Sequence, residues 1–169
     1  MKDNQIKFGF WNYLPSDTLD LSIVKTWKDM GCNLPMSFMY DPKDSTHTKE
    51  YMLKFLDECQ KQGVQCLMFD RRVSFRTLSE IGKEEWLKGV EEAKKDFYGH
   101  PAIYGFMVDD EPAMEQEDDY VYAYQVLNKE MPGLHHFGNL HPYFSNIMDP
   151  KYGFIHGALQ EAEYSTVKH

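Results

Sequence analysis

The chain has 169 residues and a mass of 19.9 kDa, room for one ordinary domain, since domains cluster at about 100–150 residues. With 42% hydrophobic, 15% aromatic and 27% charged residues, the composition excludes a disordered or low-complexity chain. Eighteen basic against 27 acidic residues leave a net charge of −9 without a basic run, which excludes nucleic acid and an anionic membrane surface as expected partners.

The N-terminus passes straight into polar–apolar alternation, without the apolar stretch and small-residue cleavage site of a secretory signal. As it stands the chain reads as cytoplasmic, and a removed signal peptide would leave the same sequence. The alternation over 6–13 predicts a first strand ending in Trp11, Asn12 and Tyr13. A helix follows, entered at Asp20, with Ile23, Trp27 and Met30 on one face and Gly31 as its stop. Residues 33–39 predict the second strand. Ser45 then caps a helix that lines up Met52, Leu56 and Cys59 and ends at Gly63. The third strand, 65–70, runs into a polar loop over 70–76 that opens with Asp70, Arg71 and Arg72. Trp86, Val90, Ala93 and Phe97 mark the next helix, which ends at Gly99, and 102–108 is the fourth strand. Asp118 starts the last helix, with Tyr120, Tyr124, Leu127 and Met131 on its apolar face and Gly133 as its stop, and 135–140 is the fifth strand. No apolar run approaches the roughly 20 residues that cross a bilayer. Cys32, Cys59 and Cys66 are an odd number in apolar surroundings, which predicts buried thiols without a disulfide.

Strict β-α alternation requires a parallel α/β sheet with right-handed crossovers. Two architectures satisfy it: a five-stranded doubly wound, flavodoxin-like sheet, or a (β/α) TIM-barrel type of which only about the first five units are present. Length favours the first, because a whole barrel takes about 250 residues. The loops favour the second: polar segments over 12–17, 41–45, 70–76, 109–116 and 141–149 all follow strand C-termini, the face on which barrels keep their chemistry. No phosphate-cradling loop follows the first strand, and neither GxGxxG nor GxxxxGK[ST] occurs, so no cofactor is expected. The expectation is a single partial-barrel domain over 1–169. Its open edge should pair with a second copy of the chain, as a homo-oligomer, or lie beside a poorly ordered tail over 150–169.

The sharpest motif is Tyr104-Gly105-Phe106-Met107-Val108-Asp109-Asp110-Glu111-Pro112, an apolar strand running into three carboxylates. Like charges at a buried strand end repel, and burial adds to the cost, so a raised pKa is expected there, at Glu111 above all; a retained proton makes a general acid. The plain alternative is that the acids cap the next helix, with Pro112 in its first turn. Asp70 and Arg71 suit either a sugar hydroxyl or an internal ion pair. Trp11 and Tyr13 suit either a sugar ring or the core. His135 and His136 are adjacent and so point to opposite faces of a strand; with His141 they are not read as metal ligands, and no metal is expected.

These residues resemble the strand-four region of TIM-barrel glycoside hydrolases of the retaining β-glycosidase clan, the β-galactosidase and cellulase-like superfamily. There an apolar strand ends in Asn-Glu-Pro; here it ends in Asp110-Glu111-Pro112. The likeness extends to the helix from Trp86 to Gly99, to His100-Pro101-Ala102-Ile103-Tyr104-Gly105-Phe106, to Phe137-Gly138-Asn139-Leu140 and to Trp11-Asn12-Tyr13. It implies hydrolysis of O-glycosidic bonds in a carbohydrate substrate, with Glu111 as acid/base and Trp11, Tyr13, Asp70, Arg71, Asp110 and Asn139 as substrate contacts. The family's nucleophile, a glutamate ending strand seven, has no counterpart in this chain. Two other readings are a catalytically incomplete carbohydrate-binding fragment using Trp11, Arg71 and Asn139, and a metal-assisted hydrolase with Asp109, Asp110 and Glu111 on Mg²⁺.

Overall fold

The computed structural model describes residues 6–12, 20–44 and 48–140. It is an α/β fold of five helices and a parallel sheet in the order α1 (Ile23–Asp29), α2 (Lys49–Gln62), β1 (Cys66–Met68), α3 (Phe75–Ile81), α4 (Lys83–Phe97), β2 (Ile103–Asp110), α5 (Glu117–Glu130) and β3 (Phe137–Asn139). β2 lies between β1 and β3 and pairs in parallel with both. Among the described residues, no helix is long and apolar enough to cross a membrane.

Two of the five expected strands are extended segments rather than regular strands. Residues 33–40 join the free side of β1 through bridges from Met36 to Leu67 and from Tyr40 to Asp70. Residues 6–12 join that segment in turn, the Phe8 carbonyl accepting from Asn33 and Leu34 and the Phe10 carbonyl from Met36. Pro35 has no N–H to give a ladder, and the Phe8 N–H goes to the Asn33 side chain at 2.8 Å, so pairing stays fragmentary. The five segments therefore lie side by side in chain order. A doubly wound flavodoxin-like sheet needs the order 2-1-3-4-5, and the structure departs from it.

One hydrophobic core joins all five helices to alternate residues of the sheet: Cys66 and Met68 of β1, Phe106 and Val108 of β2. The offset between the two bridges changes by one residue, the mark of a bulge, so Phe38 and Tyr40 turn into this core while Met36 does not. Met36, Leu34, Leu67, Trp11 and Phe137 instead line a cavity of about 380 Å³ on the other face of the sheet. That face is concave. The rings of Trp11 and Phe137, from the first and last segments, are 6.3 Å apart, whereas four strand spacings in a flat sheet would separate their backbones by about 19 Å.

Local corrections have simple causes. The 70–76 stretch is not all loop: a 3-10 turn over Arg71–Val73 leads into α3, for which Ser74 is the N-cap, accepting from the Arg76 N–H. The cap of α1 is Ser22, with the Asp20 carboxylate accepting from its N–H one step outside the helix. The cap of α2 is Thr48; Ser45 lies outside the described residues. Asp118 sits inside the first turn of α5 rather than before it. Met30 is 74% exposed, because α1 ends one residue short of it. The three cysteines are free and buried.

Candidate functional site at the end of the central strand

β2 ends in two backbone conformations that side chains rarely adopt: Asp109 has φ 109° and Glu111 φ 37°. Each such residue costs on the order of 1–3 kcal/mol and persists where its surroundings hold it. Asp109 is held from the preceding βα unit. The Ser74 hydroxyl donates to its Oδ2, and Arg76 Nε donates to its Oδ1 at 3.2 Å. Oδ1 also accepts the next N–H, that of Asp110, at 2.8 Å. Arg76 reaches further, donating from its terminal nitrogen to the Asp110 carbonyl at 2.6 Å.

The following unit holds the other two acids. Asn139, which pairs with Asp110 in the ladder, donates from Nδ2 to Asp110 Oδ1 at 2.7 Å. The Asn139 carbonyl accepts the Glu111 N–H at 2.8 Å. Asp110, Glu111 and Asn139 are thus brought together at the strand ends, each half-buried, with Pro112 buried behind them. Phe137 precedes Asn139 by two residues and so shares its face of β3. The cavity walled by Trp11 and Phe137 lies on that face, and its lining includes Lys7, Phe10, Met36 and Leu67.

The remaining expected contacts lie elsewhere. Asp70 has the parity of Cys66 and Met68, so its side chain enters the helix-side core; it is 0% exposed and its carboxylate is taken by Arg72, at 2.7 Å on the closest oxygen. It cannot meet a substrate on the concave face. Burial pushes the Asp70 carboxyl up, and Arg72 pulls against that. Arg71 is an exposed surface residue that lies between Asp41 and Glu80, lining a groove on the helix side together with Trp86. Tyr13 and His141 lie outside the described residues. His135 is exposed and stacks on Tyr104, while His136 is buried, as opposite parity requires.

Sequence reasoning missed Ser74 and Arg76, which support the site from the previous unit. Only the cap-like spacing Ser74-Phe75-Arg76, ahead of an apolar Leu78 and a Gly82 stop, hinted that a helix starts there. The Mg²⁺ reading fares poorly. Among the described residues no group of three or more His, Cys, Asp or Glu side chains gathers to hold a metal. Asp109 is engaged by Ser74 and Arg76, and Asp110 by Asn139. Comparison of the sequence with models of known protein families gives no match, and comparison with curated proteins gives none either.

Proposed function

We propose that the chain forms the first five units of a TIM-type barrel and that Glu111 is the acid/base of a glycoside hydrolase. The scaffold half of this reading is supported by the chain-ordered parallel sheet, its concave inner face and the helices packed on its convex side. The chemical half is carried by one observation: Glu111 directly follows the C-terminal end of the central strand, in a strained conformation that the neighbouring strand's Asn139 helps to hold.

Acting as acid, Glu111 protonates the glycosidic oxygen as the bond to the anomeric carbon breaks; acting as base, it takes a proton from the water that attacks next. Asp110 and Asn139 hold ring hydroxyls, and Trp11 offers an aromatic face to the sugar. In a double displacement the second carboxyl stands about 5–5.5 Å from the first and comes from outside this chain.

A chromogenic glycoside panel on the intact protein tests the reading. Glu111→Gln should keep the fold and lower hydrolysis of poorly activated glycosides by on the order of 10²–10⁴. Glycosides with good leaving groups should lose least in the first step, since they need little protonation. Parental rates on a poorly activated glycoside would reduce Glu111 to a charged residue at the start of a turn.

A further inference from the structure

The cavity on the concave face is lined by none of the strand-end acids. It has a volume of about 380 Å³, and Gly9, Trp11, Met36, Leu67 and Phe137 give it apolar walls. Among the described residues that line it, Lys7 is the sole charged side chain. An ammonium breaks the usual pattern of a barrel interior, which branched apolar side chains dominate. Taking it out of water is costly unless acceptors or an anion receive it.

That ammonium is held in place. Lys7 Nζ donates to Gln65 Oε1 at 2.6 Å and lies 5.3 Å from the centre of the Tyr104 ring, which itself stacks on His135 at 4.7 Å. Gln65 directly precedes β1 and Tyr104 belongs to β2, so two other segments of the sheet fix a side chain that comes from the first. An amide oxygen and a ring face carry no net charge; they position the ammonium without cancelling it. Two residues along the chain, Gly9 also lines the cavity, and a Cβ there would collide with the Leu34 carbonyl oxygen, so this position adds no side chain to fill the space.

We infer that the cavity is a binding site for a small apolar carboxylate, with the carboxylate beside Lys7 and the hydrocarbon body against Trp11, Met36, Leu67 and Phe137. The volume falls within the range of small-molecule sites. One cation balances one carboxylate through charge-assisted hydrogen bonds, whereas a phosphate dianion would leave a charge uncompensated beside apolar walls. A sugar needs polar partners around its whole rim, and these walls supply none. Glu111 takes no part, so the inference stands apart from the glycosidase reading.

The test is calorimetric titration of the intact protein with phenylbutyrate and with phenylbutyramide, which has nearly the same shape and no charge. Tryptophan emission is followed in parallel, because Trp11 lines the cavity while Trp27 and Trp86 are buried in the core. The carboxylate should bind at least about 10-fold more tightly than the amide and should change the emission saturably over the same concentrations. Lys7→Met keeps an apolar stem and removes the charge, so it should bind the two probes equally; Lys7→Arg should restore the preference. Thermal unfolding without probe checks that each variant is folded, and the ratio in the parent protein decides the matter even if Lys7→Met is not. Equal affinities in the parent, or a preference retained in folded Lys7→Met, overturn the inference. So does binding of neither probe, the result expected if further strands of a barrel fill the cavity with side chains. Each of these outcomes leaves the glycosidase reading to the Glu111→Gln experiment, and failure there leaves this site untouched.

Discussion

A buried charge survives folding where it is paired and hydrogen-bonded. Arg72, 8% exposed, meets that condition with the Asp70 carboxylate and with Asp96 at 2.8 Å, its guanidinium lying over the Tyr40 ring. Burial works against its charge, but the two carboxylates hold its pKa above the ordinary value. The D-R-R motif is thus structural on its core side, a choice that the sequence left open because Asp70 and Arg71 have the same types in either role. His136 takes the other solution and stays neutral. Burial is the main cause of a pKa pushed down to about 4, prevailing over the carbonyls of Met131 and Leu127. An unfolded chain binds that proton near pH 6.5, so as pH falls the unfolded state is protonated first. The stabilisation from a neutral His136 is complete above pH 6.5 and is lost as pH falls towards 4, about 3 kcal/mol in all. Urea unfolding at pH 7.5 and pH 5 should show this loss in the parent and a flatter dependence in His136→Gln; equal slopes would show that another group titrates in this window.

At the scale of elements, glycine decides how closely the strands approach. A Cβ on Gly105 would lie 1.7 Å from the His135 carbonyl oxygen, a backbone atom that cannot step aside. The chain reaching β3 therefore presses on β2 where only a hydrogen fits. Gly105→Ala should destabilise the protein by on the order of 1–3 kcal/mol, whereas Gly99→Ala, with nothing within 4 Å of its Cβ, should be near neutral. Equal denaturation midpoints would mean that the approach is looser than described. Helices were the most legible elements, since faces such as Trp86, Val90, Ala93 and Phe97 are buried as their spacing predicts. Gly31, Gly63 and Gly133 each have the positive φ of a helix stop. Less legible was whatever depends on partners distant in the chain. The strand potential of 33–39 is real, but a proline and a bulge reduce it to bridges. The 70–76 loop hid a seven-residue helix whose short apolar face, Phe75 and Leu78, falls below the length at which periodicity speaks. At the site, Asp110, Glu111 and Asn139 were found because they end strands, while Arg76 was not, because its role exists only across a tertiary contact.

For the whole molecule, curvature separates a barrel-like sheet from a flat one. Two edge segments with three others between them can bring their rings to 6.3 Å only if the sheet wraps around its inner face. The same wrapping brings Trp11 and Phe137 to opposite walls of one cavity, so the cavity and the curvature depend on one geometric property. Cross-linking measures it directly. In a Trp11→Cys, Phe137→Cys double variant the new thiols lie on the concave face, while Cys32, Cys59 and Cys66 are buried and slow to react. A bifunctional maleimide shorter than about 10 Å should then join positions 11 and 137 within one molecule, because curvature removes most of the roughly 19 Å that a flat sheet imposes. Each single variant should give no such product. If the double variant is modified at both thiols without an intramolecular link, the sheet is open and flat, and Glu111 would stand on a strand end with no concave face beneath it.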